Sequence, residues 1–457
     1  MHRFEGTVNQ YTGDGIMAIF GAPIAHEDHA RRACWAALHL SDELRRYARE
    51  LRRERGLSFA VRMGLNSGEV VVGKIGDDLR MDYTARGHTV GLAARMEKLA
   101  EPGRVYLTEH TAALVEGYFH LEDLGAFEIP GVQAPLRVHE LGGVGALRTR
   151  LDVSRARGFS RFVGREEEMA TLEAALGRAL AGTGQVVGVV ADAGVGKSRL
   201  CFELAERCRA RGVRVYEAHC VAHGTMIPYL PALEFFRTYS AVTDRDSDDE
   251  VRRKIAGTVL LLDPGLADAL PLLFDFMGVP DPKRPAPPME PEARQRQLLG
   301  AVKRLVQARS RQEPALLLWE DLHWIDGGSA TIVDKLAEAV DGTRTLLLAN
   351  FRPEYRAPWM QGSSYQQVPL RPLDPAAIDE LLRDLLGADS SVVPLAALVR
   401  ERTGGNPFFI EEVIQALVEG GSLAGGRGAY RLARPVADLA IPPTVQALLA
   451  SRIDRLG

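Results

Sequence analysis

The alternation of apolar and polar positions predicts a chain in which strands and helices follow one another. In the first third, an apolar run at 16–20 predicts a buried strand, and residues 28–53 and 89–99 repeat apolar positions at helical spacing. The region therefore looks like an α+β domain. Its expected strands are 16–20, 59–63, 69–73 and 104–108, with 59–63 and 69–73 forming a hairpin-like pair.

A second region has a different pattern, with apolar runs at 186–190, 314–321 and 345–350 separated by helical stretches. A proline-rich stretch at 279–291 interrupts it and is expected to be an exposed loop. From residue 374 onwards helical patterns dominate. Strands alternating with helices predict a parallel sheet, followed here by a helical portion.

Composition and length suggest that these regions are separate domains of an intracellular protein. The chain has 457 residues, a net charge of −4 and four cysteines without metal-ligand spacing. No leader peptide and no apolar run of membrane-spanning length stand out, so we expect a cytoplasmic location. The expected divisions are 1–142, a linker at 143–160, a sheet domain at 161–370, a helical lid at 371–435 and a further domain beginning at 436–457.

The most informative stretch is Ala191–Ser198, which lies between an apolar strand and a helical pattern. Strand, glycine-rich turn and helix form the setting of a P-loop, although alanine replaces the usual first glycine. Lys197 is expected to reach the β- and γ-phosphates of a nucleotide, and Ser198 to hold Mg²⁺. The predicted phosphate-binding residues are Gly194, Val195, Gly196, Lys197, Ser198 and Arg199.

Carboxylates follow the apolar strand at 314–321, as in the strand that supports Mg²⁺ in P-loop enzymes. Asp321 is expected to orient the metal, because a hard cation prefers oxygen ligands. Glu320, Asp326 or both are candidates for positioning an attacking water. The strand at 345–350 then leads to a polar pair, Asn350 and Arg352, which are expected to sense the γ-phosphate.

These motifs resemble those of the STAND group of AAA-related signal-transduction NTPases. Phe162–Glu166 resembles the segment that contacts adenine in that group, which implies contacts from Gly164 and Arg165. Gly404–Glu412, with Pro407, resembles the motif that packs on the base. The resemblance implies a parallel-sheet NTPase with a helical lid and the start of a winged helix. It also implies a switch in which ADP and ATP favour different states.

The N-terminal region resembles the catalytic domain of class III adenylate and guanylate cyclases. The resemblance rests on Gly6–Gly21, a hairpin with Asp14 at its tip, and on Met81–Met96. It implies a ferredoxin-like α+β fold and a head-to-tail homodimer. Its two active sites would each use two metal ions bound by two carboxylates. The strand that carries the first of these carboxylates is expected before Met1.

Individual cyclase positions match only in part. Asp14 fits the second metal carboxylate, Thr84 the base-reading position and Arg95 the transition-state arginine. The asparagine partner of that arginine is replaced by Gly91, and the base-reading lysine by Gln10. Losing a metal ligand and the asparagine together is expected to slow the reaction roughly a thousandfold or more.

Three hypotheses of function follow. The first is a cytoplasmic ATPase switch, carrying Mg²⁺ or Mn²⁺ and a weak or inactive cyclase domain. The second is an adenylate cyclase controlled by the ATPase, with Asp77, Asp78 or Asp82 as candidate replacement carboxylates. The third is a non-catalytic scaffold gated by ATP. Each implies an unknown downstream partner, and no basic reading helix indicates nucleic acid.

One further pattern has two interpretations. Two histidines, at positions 26 and 29, flank acidic residues and share a helix face at i, i+3. This is not the spacing of a known zinc helix, and acidic residues are favoured at a helix start. We therefore expect a solvated helix start at this point, with a metal site as the alternative.

Overall fold

The computed structural model divides into two compact units, Met1–Phe159 and Ser160–Leu439, whose boundary falls within the predicted linker. Among the described residues, none of the helices combines the length and apolar character needed to cross a membrane. Of the predicted winged-helix start, only residues 436 and 439 are described. The described residues are 1–13, 15–22, 28–68, 70–75, 82–86, 88–129, 134–145, 149–221, 224–225, 227–243, 245–436 and 439.

The first unit contains short sheets flanked by helices. Its strands pair as β1–β2, as β4–β5, and as a four-stranded sheet in the order β3-β6-β8-β7. The elements are β1 Gly6–Thr12, β2 Gly15–Phe20, α1 His29–Arg55, β3 Met63–Leu65, β4 Val71–Ile75, β5 Asp82–Arg86, α2 His88–Leu99, β6 Val105–Thr108, α3 Glu109–Val115, β7 Phe119–Phe127, β8 Leu136–Val144 and α4 Arg150–Arg157.

Strand pairing in this unit differs from the sequence-based prediction. The predicted hairpin of 59–63 with 69–73 is wrong, because β3 pairs in parallel with β6 and β4 pairs antiparallel with β5. A helix, α2, lies in the connection between β3 and β6, which is what a parallel pair requires. The strand predicted at 16–20 exists, but Ile16 is 61% exposed, so this strand is not buried throughout.

The long helix α1 covers one face of the four-stranded sheet. Its buried side includes Cys34 and Ala37, which pack against strand residues such as Leu107. Arg32 is also buried, and its Nε donates to Asp28 Oδ1 at 2.7 Å while Nη1 contacts Glu5. The helix start is therefore held by a buried ion pair. Residues 26 and 27 of the histidine pattern lie outside the described residues.

The linker predicted at 143–160 contains a helix, α4. Thr149 caps its first turn by accepting a hydrogen bond from the Asp152 N–H, and the Asp152 carboxylate accepts from the Thr149 N–H. This reciprocal pair is a capping box, which fixes where a helix begins. The glycine and arginine content of the segment favoured a linker, whereas the local capping residues determine a short helix.

The second unit is organised around a five-stranded parallel sheet in the order β10-β11-β12-β9-β13. Helices connect most of its strands, and the final part is helical except for a small hairpin. The elements are α5 Glu166–Leu180, β9 Gln185–Val190, α6 Lys197–Ala210, β10 Arg214–His219, α7 Leu230–Tyr239, α8 Asp248–Leu262, α9 Leu270–Phe276, α10 Pro291–Gln312, β11 Ala315–Glu320, α11 Gly327–Ala339, β12 Thr345–Phe351, β13 Tyr365–Pro369, α12 Pro375–Leu386, α13 Val393–Thr403, α14 Pro407–Glu419, β14 Leu423–Ala424 and β15 Arg431–Leu432.

Both faces of this sheet are covered by apolar side chains. All residues of β9, β11 and β12 are buried, and alternate residues enter two different cores. For example, Leu317 and Trp319 belong to one core, while Leu316 and Leu318 belong to the other. A parallel sheet buried on both faces explains the unbroken apolar runs in the sequence. It also brings the carboxyl ends of the strands to one edge, where ligands bind in such sheets.

A glycine substitution tests how tightly this sheet is packed. Gly184 precedes β9, and a Cβ at this position would lie 1.7 Å from the Val340 carbonyl oxygen. We expect Gly184→Ala to lower the free energy of unfolding by about 1–3 kcal/mol, because backbone must move. Gly177→Ala in α5, where a Cβ has open space, is the control and should be neutral or stabilising. Urea unfolding followed by tryptophan fluorescence measures both; equal midpoints would contradict the prediction.

Candidate functional site

A glycine-rich turn joins β9 to α6 at the carboxyl edge of the parallel sheet. Gly194 and Gly196 both have left-handed backbone, with φ of 79° and 105°, which glycine adopts without strain. Gly196 is the N-cap residue of α6, and Lys197 begins the helix. A turn of this kind exposes backbone N–H groups, and a helix N-terminus adds a partial positive charge. The turn is therefore suited to an anion.

Lys197 lies beneath this turn and is only 7% exposed. Its Nζ donates to the Ala191 carbonyl oxygen at 2.9 Å and to the Asp192 carbonyl oxygen at 3.0 Å. Burial lowers the pKa of Lys197, the Asp321 carboxylate opposes this, and Arg352 lowers it further. The ammonium group is thus held by neutral carbonyls within reach of these two charges.

A buried carboxylate, Glu320, ends β11 and is 4% exposed. Burial outweighs the charge of His219 and the nearby Ser198 and Asn350 side chains, so the pKa of Glu320 is raised to about 7. Asn350, at 0% exposure, accepts the Asp321 N–H through Oδ1 at 2.8 Å. Its amide nitrogen also donates to the Cys201 sulfur at 3.7 Å. Asn350 therefore joins the end of β11 to that of β12 and to α6.

Asp321 differs from its neighbour Glu320 in conformation and exposure. It adopts left-handed backbone with φ of 57°, and its side chain is 32% exposed. Non-glycine residues in this conformation are uncommon, although Asp adopts it more readily than most, and they cluster at functional sites. Asp321 and Glu320 therefore face different surroundings, although they are adjacent in sequence.

The oxygen atoms of Ser198, Glu320 and Asp321 suit a hard cation such as Mg²⁺. Ser198 lies close enough to Glu320 to lower the pKa of that carboxyl, so a hydroxyl and a carboxylate come together at the start of α6. Within the described part of the chain, no group of three or more His, Cys, Asp or Glu side chains could hold a metal ion alone. A metal here would thus need oxygens from the nucleotide as well, which is how P-loop proteins bind Mg²⁺.

Asp326 has a structural position at the start of α11. Its Oδ1 accepts hydrogen bonds from the Ser329 N–H at 3.0 Å and the Tyr229 N–H at 2.8 Å. The carboxylate therefore caps the helix and ties it to the start of α7. Of the carboxylates considered for positioning water, this one is engaged with backbone.

Arg352 and His323 belong to the same site, because the charge of Arg352 acts on both Lys197 and His323. The Arg352 guanidinium stands over the Trp324 ring, 5.2 Å from its centroid. His323 packs against Trp324, with ring centroids 4.4 Å apart. Burial, together with the charges of Arg352 and Lys197, lowers the pKa of His323 to about 3. His323 was not predicted as a site residue, because a single histidine after a strand has no distinctive spacing.

Two distant segments contact the glycine-rich turn. Asn406 Nδ2 donates to the Ala193 carbonyl oxygen at 3.0 Å, and the Phe408 N–H donates to that of Gly194 at 3.3 Å. Arg165, 6% exposed, donates to the Val195 carbonyl oxygen at 3.0 Å. A Cβ on Gly194 would lie 2.7 Å from Asn406 Oδ1. Both motifs selected from sequence therefore reach the turn.

Other predicted binding residues lie around these contacts. A Cβ added at Gly196 would be 3.9 Å from the Pro407 ring, and one at Gly164 would be 2.4 Å from Ala377 Cβ. Arg199 donates from Nε to Glu203 at 2.8 Å and from Nη2 to the Ser160 carbonyl oxygen at 3.0 Å. The Arg199 guanidinium is thus bound to protein groups beside the turn.

The predicted cyclase residues are described only in part. Arg95 and Gly91 lie one turn apart on α2, with open space where a Gly91 side chain would be. Gln10 is exposed on β1. Thr84 is paired with Gly73 between β5 and β4, but its side chain lies outside what is described. Asp14, Asp77 and Asp78 also lie outside the described residues, and Asp82 is described only as the first residue of β5.

His219 and Glu234 form a further, half-buried pair beside Glu320. His219 ends β10 and lies opposite Glu320 in the parallel register. Its Nδ1 is 3.0 Å from Glu234 Oε1, and its backbone N–H donates to Oε2 at 3.1 Å. Burial lowers the pKa of His219, but the hydrogen bond and charge of Glu234 outweigh it and raise the value to about 9. Sequence gave no signal for this pair, because it depends on strand register.

Family models match most of both units. Residues 8–142 match the adenylate and guanylate cyclase catalytic domain, and residues 161–349 match the AAA ATPase domain. Residues 376–421, within the predicted lid, match a domain of unknown function.

Similar proteins include an uncharacterized protein and adenylate cyclase 1, both of Rhizobium meliloti. The uncharacterized protein is 27% identical to 90% of this chain, and the matched region covers 40% of that protein's length. Adenylate cyclase 1 is 32% identical to 31% of this chain, and the matched region covers 21% of that protein's length. Among solved structures, adenylyl cyclase CyaB of P. aeruginosa is 27% identical, with a TM-score of 0.29, covering 33% of this chain and 76% of that one. Guanylyl cyclase Cya2 is 30% identical, also with a TM-score of 0.29, and the match covers 32% of this chain and 74% of that structure's chain.

The pair of His219 and Glu234 makes stability depend on pH. Because the folded-state pKa of His219 is raised from 6.5 to about 9, its contribution is complete below pH 6.5 and is lost as pH rises through 9. We expect wild type to lose roughly 3 kcal/mol of unfolding free energy over this range relative to Glu234→Gln. Urea unfolding at pH 6.5 and 9.5 measures the difference; parallel pH profiles for the two proteins would contradict it.

Proposed function

We propose that this chain, which joins a class III adenylate and guanylate cyclase domain to an AAA ATPase domain, binds ATP and hydrolyses it slowly as a molecular switch. The observation that carries this proposal is Lys197, a buried ammonium group beneath the glycine-rich turn. The charges of Asp321, Asp192 and Arg352 act on it. A buried cation next to a glycine-rich turn at a helix N-terminus is what a polyphosphate requires.

Lys197 would exchange its contacts when a nucleotide binds. In this structure its Nζ donates to two carbonyl oxygens of the turn. Phosphate oxygens are stronger acceptors for an ammonium group than neutral carbonyls. Lys197 would therefore release one or both carbonyls and donate to the β- and γ-phosphates. The N–H groups around Gly194 and Gly196 would hold the same phosphates.

The cation site would be formed by Ser198 and Glu320. The proximity of the Ser198 hydroxyl to Glu320 supports giving Glu320 the metal role predicted from sequence for Asp321. Asp321, which is more exposed, is then left to orient water. Mg²⁺ or Mn²⁺, when bound, offsets the negative charge of the phosphates. Asn350 holds the Asp321 backbone in place through its hydrogen bond.

The switch would act through the helical lid, as in the STAND group. The start of α14 contacts the turn through Asn406 and Phe408, so a nucleotide that moves the turn also moves the lid. Gly164, Arg165 and Pro407 would surround the base, and Arg352 would sense the γ-phosphate. Arg165 supports this, because it donates both to Val195 in the turn and to the Arg371 carbonyl oxygen before α12.

The cyclase domain is proposed to be weak or inactive and to act as a homodimerisation module in the cytoplasm. Gly91 supports this, because it leaves no side chain one helical turn from Arg95. Gln10 replaces a positive charge at the base-reading position. An active adenylate cyclase is the second candidate, favoured by the identity of 32% to adenylate cyclase 1. The downstream partner is unknown for either function.

ATP affinity tests the proposed role of Lys197. Removing its charge-assisted hydrogen bonds in Lys197→Ala should weaken ATP binding by about 10- to 100-fold. Lys283→Ala, which removes an exposed lysine from the proline-rich loop, is the control and should bind as wild type does. Calorimetry with ATP and Mg²⁺ gives both dissociation constants. Equal affinity in Lys197→Ala and wild type would refute the proposed site.

Product analysis tests the cyclase domain separately. With ATP or GTP and Mg²⁺ or Mn²⁺, we expect ADP and phosphate from wild type, and cyclic nucleotide only at background. Because Arg95 lacks its amide neighbour, Arg95→Ala should leave the products unchanged. Chromatography of the nucleotides measures both. Cyclic AMP that persists in Lys197→Ala and falls in Arg95→Ala would establish the second candidate instead.

A further inference from the structure

His323 is a buried polar side chain that lacks hydrogen bonds. Its side chain is 5% exposed, and neither ring nitrogen has a hydrogen-bond partner among the described residues. Buried polar groups without partners are costly and rare in folded proteins, so each one needs an explanation. A group that is left unsatisfied beside a ligand site is often satisfied by the ligand.

The chain holds His323 firmly in this position. Asp321 takes left-handed backbone at the end of β11, and Leu322–Trp324 then form a single 3-10 turn. The imidazole packs on Trp324, and the Arg352 guanidinium also stands over the Trp324 ring. His323 is therefore fixed by packing on the side of the site where Arg352 and Asp321 lie.

The distance from His323 to Asp321 fits a bridging water. His323 Nδ1 is 3.9 Å from Asp321 Oδ1, which is too long for a direct hydrogen bond. One water oxygen at about 2.8 Å from both atoms spans this separation with an angle of about 90° at the water. The two side chains thus define a place for a water beside the buried ammonium of Lys197.

We propose that His323 is a catalytic residue which, together with Asp321, holds the water that attacks the γ-phosphorus of ATP. The inference rests on the proposed ATPase function. The water oxygen forms a bond to the γ-phosphorus, and the bond from that phosphorus to the β–γ bridging oxygen breaks. ADP leaves with the electron pair, and the water proton passes to the Asp321 carboxylate. His323 fixes the direction of the water through its Nδ1 hydrogen bond.

Three substitutions separate a hydrogen-bonding role from packing. Asn places its amide close to the position of Nδ1, Gln places it close to Nε2, and Leu fills space without polar atoms. We expect His323→Leu to lower the single-turnover rate of ATP hydrolysis by about 10- to 100-fold, with unchanged ATP affinity. His323→Asn should recover part of the loss, and His323→Gln less. The control is His120→Leu, an exposed histidine on β7, which should match wild type.

A second measurement does not depend on turnover. ADP with aluminium fluoride mimics the transferring phosphate with its attacking water, so its trapping should weaken in His323→Leu and in Asp321→Asn while ADP binding stays unchanged. Wild-type rate and trapping in His323→Leu would overturn the inference. Equal loss of ATP and ADP affinity in that variant would also overturn it, since it indicates a packing role. Failure of wild type itself to hydrolyse bound ATP would instead refute the proposed function.

Discussion

The contact of the Lys197 ammonium group with the carbonyl oxygens of Ala191 and Asp192 is the interaction on which the second unit's site depends. A positive charge at 7% exposure is stable only when acceptors surround it. The carbonyls come from the turn itself, and the carboxylates come from the neighbouring strand. The parallel sheet, the tight glycine turn and the buried carboxylate Glu320 are all consistent with one requirement, which is to shield the Lys197 ammonium group from water while keeping it available to phosphate.

Local motifs were predictable from sequence, whereas pairings between distant residues were not. The glycine turn, the strand ending in Glu320 and the helix after the turn follow from residue types within short windows. The hairpin expected at 59–63 and 69–73 was wrong, because strand partners are chosen by tertiary packing. His219 meets Glu320 only through strand register, which no local pattern reports.

The two units differ in how well the site residues predicted from sequence are supported by the structure. In the second unit, motifs selected from sequence lie in contact with one another, including Asn406 with Ala193 and Arg165 with Val195. In the first, Arg95 and Gly91 share a helix, while Asp14 lies outside the described residues. The assignment of the cyclase residues therefore stays a prediction from resemblance, and the match of residues 8–142 supports the domain rather than its activity.

The close approach of Gly194 to Asn406 has a consequence for how this protein can change over generations. A side chain at position 194 would require left-handed backbone and would displace the Asn406 amide, 2.7 Å from its Cβ. That amide also caps α14 and binds the Ala193 carbonyl oxygen. A substitution in either segment thus disturbs a contact that the other segment makes. Descendants of this chain should inherit residues 193–194 and 406–408 as a single unit, despite the separation of more than 200 residues along the gene.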